Sequence, residues 1–96
     1  MQTNYLVAVN DFCTSHQTEF SFLKSLQQTG LIEITTIEET EFIDTEQLQQ
    51  LEKFIRFYYE LDINLAGIET ITYLLQRINK MQDEITALRN RLRLYE

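Results

Sequence analysis

From Leu65 onward the chain contains no proline, and its apolar residues return at steps of three and four: Ile68, Ile71, Leu75, Ile78, Met81, Ile85, Leu88, Leu92 and Tyr95. That recurrence places one apolar stripe along a single helix, with Asn64 as its N-cap and Gly67 tolerated in the first turn. At ~1.5 Å per residue such a helix is about 45 Å long, more than the diameter of a small domain. It must therefore leave the body of the protein, and its stripe then has nothing of its own chain to cover it. The stripe is a heptad pattern with one short step between Ile78 and Met81. A protruding seam of this kind predicts pairing with a second copy through Ile78, Met81, Ile85, Leu88 and Leu92. Arg89, Arg91 and Arg93 follow the seam, and a parallel pair would set each beside its own duplicate. An antiparallel homodimer avoids that repulsion and carries the arginines towards the acid-bearing start of the partner helix, near Glu69.

The rest of the 96 residues suffices for one small module. The division expected is 1–62 for a compact head with three helices and 63–96 for the long helix. Tyr5 to Val9 is a short β-like stretch, and Asn10 is placed as N-cap of a first helix carrying Phe12 and Cys13 inward. A polar join at residues 15–18 leads to a second helix from Glu19 to about Gln28, with Phe20, Leu23 and Leu26 on one side. Gly30 follows, able to take the left-handed terminating conformation. Two short helices with a tight join suggest helix-turn-helix. From Leu31 to Ile43 the period moves towards two, with a turn at Glu38-Glu39-Thr40, which reads as a hairpin wing. Asp44 then caps a third helix, with Gln47 as partner in a capping box and Leu48, Leu51, Ile55 and Tyr58 as its stripe, widened by Phe54, Phe57, Tyr59 and Leu61. The fold class expected is mainly α: a winged helix-turn-helix with a small β-wing and a long C-terminal dimerisation helix.

Charge is segregated along this plan. Through Gln47 there are eight acids, Asp11, Glu19, Glu33, Glu38, Glu39, Glu41, Asp44 and Glu46, against Lys24 alone, while the remainder balances seven against seven. Duplex DNA is held by Lys and Arg displacing counterions from phosphates, so a reading head this acidic opposes the ligand its architecture suggests. A basic protein surface fits better, with Glu19, Glu33, Glu38, Glu39 and Glu41 as the expected contacts.

Enzymatic chemistry finds no foothold. Cys13 and His16 are three apart, but the chain has no other Cys or His to complete a zinc site. No third group orients them as a nucleophile pair. Glu38, Glu39 and Glu41 occupy a hairpin turn, where solvated charge ordinarily sits. There is no phosphate-cradling glycine loop, and no cofactor is expected. The longest apolar run, residues 5–9, is far too short to span a bilayer. A single cysteine, with no basic flank or apolar signal segment at the N-terminus, predicts a cytoplasmic protein.

The order of helix-turn-helix, wing, helix and terminal coiled-coil helix resembles MerR-type regulators, with Gly30-Leu31-Ile32 where those proteins begin the wing. MerR-type wings typically continue with a proline, arginines and a Tyr-Arg pair that grips phosphates; here the positions read Glu33-Ile34-Thr35-Thr36 and Glu41-Phe42-Ile43. The chain is more similar to the CbpM chaperone-modulator branch. That likeness is carried by Asp11-Phe12-Cys13, by Gly30-Leu31-Ile32-Glu33, by the segment Glu60 to Ile68, and by Leu74-Leu75-Gln76-Arg77-Ile78 through Leu88-Arg89-Asn90-Arg91-Leu92. The resemblance implies a small cytoplasmic dimer that binds the J-domain of a DnaJ-like co-chaperone and blocks its productive contact with a DnaK-type chaperone. A J-domain's second helix is a basic surface, which an acidic competitor suits. The alternatives are a MerR-type transcription regulator reading DNA as a dimer, and an accessory module that holds two proteins together.

Overall fold

The computed structural model describes residues 5–95. Its elements run β1 (Leu6–Ala8), α1 (Val9–Ser15), α2 (Phe20–Gln28), β2 (Thr35–Ile37), β3 (Thr40–Asp44), α3 (Leu48–Ile55) and α4 (Leu65–Arg93). A 3₁₀ turn at Thr45–Gln47 leads into α3, and a π-turn at Arg56–Glu60 leads out of it. The molecule is mainly helical, a winged helix-turn-helix with a long terminal helix.

The β-like start is shorter than the pattern suggested, because Val9 already belongs to α1 and turns into the core. The N-cap of α1 is Ala8, not Asn10, and it makes no side-chain cap bond. Backbone pairing replaces the cap: β1 lies antiparallel to β3, with Val7 opposite Ile43, which fixes where the chain must turn into α1. The hairpin β2–β3 completes a sheet of order β1-β3-β2. Gly30 closes α2 at φ 82°, and the amides of Gly30 and Leu31 donate to the carbonyls of Gln27 and Leu26.

In α2 the inward face is Phe22, Leu23 and Leu26, all buried, whereas Phe20 at the first turn is 41% exposed. The expected stripe had the wrong aromatic. Phe22 is drawn in because its ring stacks on Tyr58 at 4.2 Å. Asp44 does cap the next helical segment, its Oδ1 accepting from the amide of Glu46 at 2.9 Å. Gln47, however, does not turn back to complete a capping box. Its Nε2 donates to the Glu33 carbonyl at 2.8 Å, and its Oε1 accepts from the Glu33 amide at 2.7 Å, so it clamps the chain just before the wing. The core gathers Val9, Phe12, Phe22, Leu23, Leu26, Ile32, Ile43, Leu51, Phe54 and Ile68.

Asn64 caps α4 as expected, accepting from the Gly67 amide at 2.8 Å. Only Ile68 and Thr72 of α4 are buried, and every residue from 73 to 95 is exposed. The helix thus leaves the head after its second turn, over about 43 Å in all. Glu96, near which the sequence pattern ends this helix, lies outside the described residues. No helix among them is long and apolar enough to cross a membrane.

Candidate functional site

The helix-turn-helix join is tight. Gln17 takes a left-handed φ of 52°, and the Thr18 amide donates to the Cys13 carbonyl at 2.9 Å. Phe20–Gln28 is therefore presented as the second helix of the motif, and its start is tied down from the π-turn that follows α3. There the amide of Glu19 donates to the Tyr59 hydroxyl at 3.0 Å, while Phe22, Tyr58 and Tyr59 form one ring cluster. This leaves Tyr58 and Tyr59 each 40% exposed, as cover over the core with one face open. Phe54, four residues before Tyr58, is fully buried.

The five acids expected to meet a partner are placed around α2 and the wing. Glu19 is the residue before α2, exposed, and its Oε2 accepts from the Ser21 hydroxyl at 3.3 Å. Glu38 and Glu39 form the wing tip, with φ 47° and 66°. Two consecutive residues of positive φ give the two-residue hairpin whose twist matches that of the strands, normally built from Asn-Gly. Glu39 and Glu41 share a cleft of about 290 Å³ with Asn10 and the exposed ring of Phe20. Glu33 stands apart, exposed at the opposite end of β2.

Glu41 differs from the other four. Lys24 Nζ reaches its Oε2 in an ion pair, and the same ammonium lies 5.5 Å from the centre of the Phe20 ring. The one Lys or Arg among residues 1–47 is therefore spent within the molecule, bracing α2 against β3. Sequence alone did not signal this, since the partners are 17 residues apart and on different elements. Glu33, Glu38 and Glu39 take part in no such pair among the described residues, so the negative face is most open at the wing tip and the wing base.

His16 and Cys13 do not converge on a metal. The His16 ring stacks on Phe12 at 4.0 Å, and its Nε2 lies 3.2 Å from Glu52 Oε2, which ties the end of α1 to α3. Cys13 packs partly against the core, and burial raises its thiol pKa above the ordinary value, away from a reactive thiolate. Among the described residues there is no group of three His, Cys, Asp or Glu placed to hold a metal ion.

The other expected contact surface, the α4 seam, is open. Ile78, Met81, Ile85, Leu88 and Leu92 are between 43% and 62% exposed. Around them the polar residues of α4 leave this stripe as an unbroken apolar line. No solved structure and no curated protein matches the chain. Residues 7–90 match the sequence profile of the MerR HTH family regulatory proteins, a stretch that takes in the helix-turn-helix, the wing and most of the long helix. The chain belongs to the MerR helix-turn-helix family of regulatory proteins.

Proposed function

We propose that this family member is a non-enzymatic inhibitor of a DnaJ-like co-chaperone, of the CbpM type. As a dimer it covers the basic face of a J-domain with its acidic head. The observation that supports this best is the fate of Lys24. In a DNA-reading member of the family the second helix and wing must supply phosphate contacts. Here the sole Lys or Arg of residues 1–47 is already paired with Glu41, and the same stretch carries seven further acids. A basic protein helix reverses the sign of the interaction: exposed carboxylates steer it in, and a few apolar side chains beside them, such as Phe20, supply affinity at the centre.

Exposed charge pairs are individually worth only ~0.2–1 kcal/mol, so the informative variant reverses several acids at once. Glu41 is left intact, because its loss would release Lys24 and unbrace the wing. The variant Glu33→Lys, Glu38→Lys, Glu39→Lys is expected to stay folded and to associate with a cognate J-domain at least about tenfold more slowly at low salt, the gap closing as salt rises. Surface plasmon resonance at two ionic strengths measures both. An unchanged rate with unchanged salt dependence would reduce these acids to a solvated surface.

Membership of a helix-turn-helix family favours a second function, a regulator that reads DNA. It requires sequence-specific complexes in a mobility shift at nanomolar protein. The acidic head predicts none, even at low salt.

A further inference from the structure

Consecutive residues of an α-helix point about 100° apart, so neighbours in sequence do not face one another. Tyr58 and Tyr59 do: their rings meet edge to face with centres 5.0 Å apart. The π-turn at Arg56–Glu60 brings them together, closed by the Leu61 amide donating to the Arg56 carbonyl at 3.2 Å. Such turns are rare and frequently mark functional positions. The result here is an aromatic ridge on the head, Tyr58 and Tyr59 followed two residues on by Leu61, which is 57% exposed.

Tyr59 is a wall of two clefts. The first, of about 520 Å³, is lined by Glu52, Ile55, Arg56 and Glu60 beside the helix-turn-helix join, where His16 meets Glu52. The second, of about 350 Å³, is lined by Tyr58, Asp62, Ile63 and Asn64. Both are acidic. Glu19, whose amide donates to the Tyr59 hydroxyl, adds a further carboxylate, so Glu19, Glu52, Glu60 and Asp62 stand against Arg56 as the one Lys or Arg around the ridge among the described residues. Arg56 meets Glu60 only at 3.8 Å, with both side chains 69% exposed. Lys53 lines different clefts, with Gln50.

We infer that the ridge is the seat of a basic amphipathic helix of a partner protein, two of whose Lys or Arg side chains enter the clefts while its apolar face lies over Tyr58, Tyr59 and Leu61. This rests on the basic partner proposed above and names where it sits. In the first cleft an aliphatic stem runs along Ile55 and its charged end reaches Glu52 and Glu60; in the second a cation lies against the tyrosine rings and Asp62. The ridge is continuous with the wing, because Glu19 precedes Phe20, and Phe20 lines the wing cleft with Glu39 and Glu41. One helix laid across the start of α2 is thus steered by the wing acids and anchored at the ridge, since aromatic side chains at the centre of a contact carry most of its energy.

The test compares two variants for binding to a cognate J-domain by isothermal titration calorimetry: the wing variant above, and Glu52→Gln, Glu60→Gln, Asp62→Asn. The second keeps side-chain size and puts asparagine, which tolerates the left-handed region, where Asp62 has φ 54°. Neutralising the ridge is expected to weaken the complex at least about tenfold in Kd with the melting temperature unchanged. Amide shifts mapped by NMR on the unsubstituted protein give the same answer without any substitution: those of residues 55–63 move as J-domain is added. Binding that the ridge variant leaves as tight as before, or shifts confined to residues 33–41, overturns the seat and leaves the partner standing. An unsubstituted protein that binds no J-domain overturns both.

Discussion

Gly67 shows how much a single position can hold. A β-carbon there would lie 2.7 Å from Ile63 Cγ2 and 3.2 Å from Asn64 Oδ1. The glycine admits the residue that packs under the start of α4 and the residue that caps it. Alanine is the better helix former by about 1 kcal/mol, so helix propensity alone predicts that Gly67→Ala stabilises. Crowding of a branched, half-buried side chain opposes this and is expected to dominate. The variant should melt several degrees below the parent in a thermal scan followed by circular dichroism; a rise in melting temperature would show that Ile63 yields freely. Residue by residue, the sequence was most readable where a side chain acts on its own backbone. Asp44 and Asn64 cap because a short side-chain oxygen reaches an amide two or three residues on. Gln47 carried the same local signal, yet its amide finds Glu33, 14 residues away, and nothing local announces that choice. Lys24 and Glu41 were equally silent.

Among the elements, those with a long period were legible and those with a short one were not. A helix of nine residues has only about two and a half turns, so α2 fits a stripe through Phe20 or through Phe22 equally well, and only the Tyr58 ring decides. The π-turn after α3 follows from no pattern in Arg56–Glu60. It widens the last turn and holds Tyr58 and Tyr59 against Phe22. The wing was recognised as a hairpin, but not its turn: Glu38 and Glu39 both sit in the left-handed region that branched-at-Cβ or bulky residues avoid and glycine accepts. Replacing the pair by Asn-Gly should relieve that strain and raise stability by about 1 kcal/mol, read as an upward shift of the urea midpoint at constant slope. The same substitution removes two carboxylates from the wing tip. If these acids steer a basic partner, the stabilised protein will associate more slowly; if stability and association rise together, the tip has no part in recognition.

The whole molecule measures 59 × 38 × 21 Å, and its length is the consequence of one helix that outgrows the core. That much was plain from the seam of apolar residues, since an amphipathic stripe longer than any head of this size has only one geometrical outcome. Leu88→Asp, placed on the stripe with 61% of Leu88 exposed in the single chain, tests what the stripe is for. In the proposed dimer it sets a carboxylate in the apolar contact and should convert the protein to monomer in analytical ultracentrifugation, with a lower melting temperature; a variant that still sediments as dimer would refute the seam. Because residues 73–95 are all exposed in the single chain, pairing as proposed would make the order of that rod depend on how much protein is present. Mass action would then set its persistence, with each tenfold dilution removing about 1.4 kcal/mol from the proposed pair. Scarce protein would keep a folded acidic head on a fraying stalk, so that cellular abundance, more than any ligand, would decide whether one head or two are offered to a partner.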